Sequence, residues 1–120
     1  MITVLIDRDS DRNIVSLVFT GHALFDKSGK DIVCAGVSTL FYTTANSLED
    51  ICGLSTDSTC RIVEEDGDVN ARILLPGISD KDILGRAQVI MRTCQVGLMS
   101  LADDVNDGKR KYIELIETRK

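Results

Sequence analysis

The sequence predicts an α+β fold: a single two-layer domain of ββαββαβ order, with two helices packed on a mainly antiparallel sheet. Three observations predict it. Two β-branched runs flank a short polar turn within the first twenty residues, and a second pair of such runs flanks Asp66-Gly67. Each pair is followed by a long segment whose apolar residues recur with the helical period. A hairpin-plus-helix unit therefore occurs twice, and one shared sheet can bury the apolar stripe of both helices.

The elements follow in order. Residues 2–7 (ITVLID) and 13–20 (NIVSLVFT) read as strands on either side of RDSDR, which is turn material. From Asp31 onward Val33, Val37, Leu40, Phe41, Thr44, Leu48 and Ile51 fall on one helical face, and Gly53 supplies a C-terminal stop. STCRIVEE (58–65) and DVNARILL (68–75) form the second hairpin, with Asp-Gly the strongest short turn signal in the chain. Val69, Ala71, Ile73 and Leu75 alternate as a half-buried strand should, and Pro76-Gly77 ends the run. Ser79 with Asp82 makes a start resembling a capping box. Ile83, Ala87, Ile90, Met91, Cys94, Leu98, Leu101, Ala102 and Val105 then repeat the helical spacing. The polar NDGKRK ends that helix, and KYIELIE (111–117) reads as a last strand. No linker or low-complexity tract interrupts residues 1–120, so one domain is expected.

Composition narrows the function classes. The 120 residues are 43% hydrophobic and 28% charged, ordinary for a globular protein. With 14 basic and 19 acidic side chains the net charge is −5, which repels phosphate backbones; direct nucleic-acid binding is not expected, and basic partners are favoured. The apolar part of MITVLIDRD is too short for a signal-peptide core or a membrane span, so a cytoplasmic location without membrane contact is expected. Cys34, Cys52, Cys60 and Cys94 form no CxxC pair and should be reduced thiols. Their spacing does not match structural zinc, and no glycine-rich phosphate loop occurs, so no metal or cofactor is expected.

One stretch carries chemistry. GHALFDKSGKDIVCAGVS, residues 21–38, sets His22, the single histidine, twelve positions before Cys34. If the strand ends near Thr20 and the helix begins near Asp31, His22 lies just past a strand end and Cys34 in a first helical turn. The positive end of a helix dipole stabilises a thiolate, and an imidazole beside it completes the pair that runs acyl transfer with cysteine. Val33 and Val37 take the apolar stripe, so Cys34 and Ser38 are expected on a neighbouring, accessible face. Asp31 either caps the helix or orients His22. Gly36 allows close approach of a ligand or of packed backbone. Phe25 either closes over a substrate or anchors its loop. The bland reading treats Cys34 and His22 as buried structural residues. Cys94 and Cys60 read as core filler and Cys52 as inert. The acidic run Glu64, Glu65, Asp66 and Asp68 reads as a solvated hairpin tip, with a surface for basic substrates as the sharper alternative.

Gly21-His22-Ala23 followed by GKDIVCAGVS, residues 29–38, resembles the ribosomal-processing cysteine protease family of Firmicutes and their relatives. Chain length, the opening MITV and the two-helix order are similar too. The resemblance implies that Cys34 is the nucleophile and His22 its general base and acid. It implies that Asp31 and Ser38 support the site, and that the loop containing Ala23, Leu24, Phe25 and Gly29 orders over the substrate. It further implies a homodimer that removes a short N-terminal extension from a large-subunit ribosomal protein, after an aromatic-rich sequence that precedes basic residues. Two other classes stand against it: a non-enzymatic ribosome assembly or ribosomal-protein-binding factor, and a thiol redox or persulfide carrier, which the lack of a resolving CxxC disfavours.

Overall fold

In the computed structural model, which describes residues 1–22 and 32–119, the chain runs β1 (Ile2–Arg8), β2 (Ile14–His22), α1 (Ile32–Cys52), α2 (Thr56–Thr59), β3 (Cys60–Glu65), β4 (Asp68–Leu74), α3 (Lys81–Val105) and β5 (Ile113–Arg119). The strands form one sheet in the order β3-β4-β2-β1-β5. All neighbours are antiparallel except β1 and β5, which run parallel at one edge. The predicted α+β architecture is therefore the observed one, with a one-turn α2 added before β3.

Local chemistry explains the turns. Asp66 and Gly67 both take positive φ (51° and 83°), the geometry a two-residue hairpin requires. The first hairpin turns through Asp9, whose Oδ1 accepts from the amides of Asp11 and Asn13, both at 2.9 Å. Helix α3 is capped by Asp80, not Ser79: Asp80 Oδ1 accepts from the amides of Asp82 at 2.9 Å and Ile83 at 3.0 Å. Two adjacent residues of capping type competed for one position, and the carboxylate holds it.

Register puts one set of side chains beneath the helices. Val4 pairs with Phe19 and Ile6 with Leu17, and Leu17 and Phe19 pair in turn with Ile73 and Ala71 of β4. All are buried, as are Val37, Phe41 and Leu48 of α1 and Ala87, Met91 and Leu98 of α3. Phe19 meets Phe41 edge to face at 5.3 Å, joining sheet to helix. The two helices cross at glycines: a Cβ on Gly36 would stand 2.8 Å from Leu101 Cδ2, and one on Gly97 2.6 Å from Leu40 Cδ2. Here the missing side chains set the helix separation.

The buried face of α1 keeps Val33, Val37, Phe41, Thr44 and Leu48 of the expected stripe but extends to one side of it. Ile51 is 51% exposed, whereas Cys34 and Cys52 are buried with Val37, Phe41, Ala45 and Leu48. Counting cysteine as a small apolar residue restores the stripe, since 34, 37, 41, 45, 48 and 52 follow the helical period.

Candidate active site

Three contacts fix which end of the layer α1 starts from. A Cβ on Gly21 of β2 would lie 3.3 Å from Ile2 Cα, so β1 begins where β2 ends. The Ile2 amide donates to Tyr112 O at 2.8 Å, and Asn106, just after α3, donates its side-chain amide to Ile113 O at 2.9 Å. The last turn of α3 therefore sits at that same end. Gly36, near the start of α1, packs on Leu101, near the end of α3, while Leu40 meets Gly97. Helix α1 thus runs antiparallel to α3 and to β2, and begins where β2 finishes.

The Phe19–Phe41 contact then serves as a common ruler. His22 is three residues beyond Phe19 along β2, a rise of about 10 Å. Cys34 is seven residues before Phe41 along α1, a rise of about 10.5 Å in the same direction. The backbone of His22, whose Cα pairs with that of Asp68, and Cys34 accordingly stand at matching depth at one end of the molecule. His22 is the last residue of β2, not a residue beyond the strand.

Cys34 departs from expectation in its burial. It is 4% exposed and belongs to the main apolar cluster, not to an accessible edge. As the third residue of α1 it still lies within the first turn of a helix of 21 residues, where the dipole favours a thiolate. Ser38 follows one turn later and is half-buried. Ala23, Leu24, Phe25, Gly29 and Asp31 lie outside the described residues, as does the side chain of His22.

The remaining thiols lie away from the start of α1, on its last turn, on β3 and on α3. Burial pushes Cys52, Cys60 and Cys94 above the ordinary thiol range, with Arg86 pulling Cys52 partly back and the Thr44 hydroxyl doing so for Cys94. Cys94 is buried, and Cys60 packs partly against the core, in keeping with their reading as filler. Among the described residues, no group of three His, Cys, Asp or Glu side chains is placed to hold a metal ion.

The acidic hairpin tip is remote from His22 in sequence, yet strand pairing brings it beside the end of β2. Asp68 begins β4 opposite His22, and Glu65 pairs with Asp68, so the exposed carboxylates of Glu64, Glu65, Asp66 and Asp68 stand at the end where β2 finishes. A shallow cavity of about 340 Å³ lies there, between Thr20, Gly21, Glu65 and Asp68 among others.

Comparison with known proteins gives the arrangement a context. The family model for cysteine protease Prp matches residues 1–110. The ribosomal processing cysteine protease Prp of Bacillus subtilis is 29% identical over 116 residues, covering 97% of this chain and 100% of that protein. Its Staphylococcus aureus counterpart is 26% identical over 110 residues, covering 92% and 96%. A crystal structure of the essential S. aureus ribosomal processing protease, in complex with a covalently linked product peptide, superposes with a TM-score of 0.68 at 28% identity, covering 98% of this chain and 100% of that one. A Streptococcus mutans crystal structure gives a TM-score of 0.74 at 27% identity, covering 98% and 99%. A match that spans nearly the whole length, on a fold that brings a strand-end histidine and a first-turn cysteine to one end, leaves one conclusion: the chain belongs to the Prp family of ribosomal-processing cysteine proteases and is a peptide-bond hydrolase.

Proposed function

We propose that this protease removes an N-terminal extension from a large-subunit ribosomal protein, with Cys34 as nucleophile and His22 as general base and acid. The observation that carries the reading is the matching depth of the β2 terminus and the first turn of α1, which brings these two residues to one end. The Cys34 thiolate attacks the scissile carbonyl carbon, and the developing oxyanion is stabilised by the positive end of α1. The His22 imidazolium protonates the leaving amine as the C–N bond breaks, leaving a thioester on Cys34. The neutral imidazole then takes a proton from water, whose oxygen attacks the thioester carbonyl. Collapse of that adduct breaks the C–S bond, releasing the carboxylate product and restoring the Cys34 thiolate beside the His22 imidazolium. Because Cys34 is buried, the peptide displaces what covers the thiol before attack.

In this reading Asp31 caps α1 or orients His22, Ser38 supports the site from one turn along α1, and Ala23, Leu24, Phe25 and Gly29 form the loop that receives the aromatic part of the substrate. The basic residues that follow the cut meet Glu64, Glu65, Asp66 and Asp68, whose charge attracts a ribosomal protein. The enzyme acts in the cytoplasm as a homodimer, without cofactor, nucleic-acid or membrane contact.

The test is mass spectrometry of a peptide carrying an aromatic pair followed by basic residues, incubated with wild-type protein, Cys34→Ala and His22→Ala. A single cut made by the wild type alone is expected. Cleavage retained in Cys34→Ala, with both variants folded, would refute the assignment.

A further inference from the structure

We propose that a second site, at the end of the sheet opposite Cys34, binds a compact diphosphate-type anion. Strand β2 starts at Ile14 and reaches His22 eight residues later, so its two ends are about 26 Å apart. At the Ile14 end, the end of β1, the β1–β2 turn, β5 and the exposed face of α3 form a cleft of about 810 Å³. Its walls include Arg8, Arg12, Arg92, Gln88, Gln95 and Glu117, together with one asparagine and one threonine, so every described lining residue is polar. Among the described lining residues three guanidinium groups face one carboxylate, in a chain whose net charge is −5.

The walls are already braced. Gln88 accepts from the Ile14 amide at 2.7 Å and donates to the Ile14 carbonyl at 2.9 Å, tying α3 to β2. Arg8 is occupied by Glu117 Oε1 at 3.2 Å, Gln95 Oε1 at 3.1 Å and the Arg12 carbonyl at 2.8 Å. Gln95 also donates to Glu117 at 2.9 Å, so the one lining carboxylate is engaged. Arg12 and Arg92 remain. Neither guanidinium has an ion-pair partner among the described residues. Arg92 differs in this from Arg86 on the same helix, which pairs with Asp82 four residues earlier at 3.1 Å. The corresponding neighbours of Arg92 are Gln88, Val89, Gln95 and Val96, none of them acidic. Asp9, near Arg12 in sequence, spends Oδ1 on the turn amides.

Two uncompensated guanidinium forks in a preorganised polar cleft select an anion with at least two charges, and their planar donors match phosphate oxygens in pairs. The volume falls in the range of small-ligand pockets. With no apolar or aromatic side chain among the described lining residues, recognition falls on the phosphates and not on a base or ring attached to them. Free pyrophosphate and the diphosphate of a nucleotide therefore share the required chemistry.

Isothermal titration of the full chain at low salt with pyrophosphate, ADP and citrate tests this. Saturable one-to-one binding of pyrophosphate with Kd below about 1 mM is expected, with ADP within about threefold of it and citrate weaker. Arg12→Gln and Arg92→Gln, both at exposed positions and folded by circular dichroism, should each weaken binding by about tenfold or more. Arg61→Gln, on β3 away from the cleft, should leave it unchanged. Cys34→Ala should bind as the wild type does, since the site is independent of the protease chemistry. Absence of saturable pyrophosphate binding, equal weakening by Arg61→Gln, or citrate binding as tightly as pyrophosphate would each overturn the proposal. ADP binding more than about tenfold tighter would overturn the base-blind recognition.

Discussion

Replacing Gly97 with alanine puts a methyl group into the α1–α3 crossing, and Gly85→Ala on the same helix supplies the control. At Gly85 a Cβ meets nothing within 4 Å, so that substitution keeps only the helix-propensity gain, about 0.5–1 kcal/mol. At Gly97 the same gain is opposed by a Cβ standing 2.6 Å from Leu40 Cδ2, whereas carbon atoms rest at about 3.5–4.0 Å. Leu40 or the helix must yield by roughly 1 Å, and overpacking of this kind costs about 1–3 kcal/mol. Because Leu40 is only partly buried and can rotate, the net effect of Gly97→Ala is a destabilisation of about 0–2 kcal/mol. The two variants should therefore differ by about 1–3 kcal/mol, read as opposite displacements of the urea midpoint at unchanged slope. In a Leu40→Ala background the penalty at position 97 should vanish, leaving the propensity gain. Equal stabilisation by Gly85→Ala and Gly97→Ala, or a Gly97 penalty that survives removal of the Leu40 side chain, would refute the glycine-crossing argument.

Asp80→Ala removes the oxygen that accepts from two first-turn amides of α3 and should cost about 1 kcal/mol in urea unfolding, whereas Ser79→Ala should cost nothing measurable. The raised thiols of Cys52, Cys60 and Cys94 give a signed pH dependence. Below about pH 8.5 both folded and unfolded states hold these protons; above it the unfolded chain releases them first, so stability declines as pH rises toward the folded values. Urea midpoints between pH 7 and pH 10 should show that fall, and Cys94→Ala should reduce it; a flat profile would count against the burial of these groups. At neutral pH the same three thiols should alkylate more slowly than an ordinary exposed cysteine, measured site by site by mass spectrometry.

The hairpins and helices were legible because their signals are local: an Asp-Gly turn, alternating β4, and the nine-position stripe of α3. The single turn of α2 left no such trace. It is held by Ser55 Oγ, which accepts from the Asp57 amide at 3.2 Å, and by Glu49 of α1, which accepts from the Thr56 amide at 3.1 Å. Four residues have no periodicity to read. On α1 the expected positions 33, 37, 41, 44 and 48 are buried, but the apolar face is wide enough to take in Cys34, Ala45 and Cys52 as well and leaves Ile51 outside, so cysteine, a small apolar side chain, falls within the core. The candidate pair His22 and Cys34 was visible from type and spacing, because the segment joining strand to helix is short. The acidic tip beside it and the arginine cleft opposite were not, because strand register alone brings 65 and 68 to 22, and the fold alone brings 8 and 12 to 92.

The parallel edge of the sheet bears on how the chain is made. Strand β1 is synthesised long before one of its two neighbours, β5, which begins at Ile113 and pairs with Ile2. A contact of such sequence separation forms only after loop-closure entropy for nearly the whole chain has been met, which slows folding. At a synthesis rate of about 5–20 residues per second, β1 spends several seconds with one edge uncovered. During that interval Val4 and Ile6 have β2 beside them but no partner on the other side. The parallel pair therefore makes closure of this sheet an event that waits for the synthesis of β5, when the fifth strand pairs with the first.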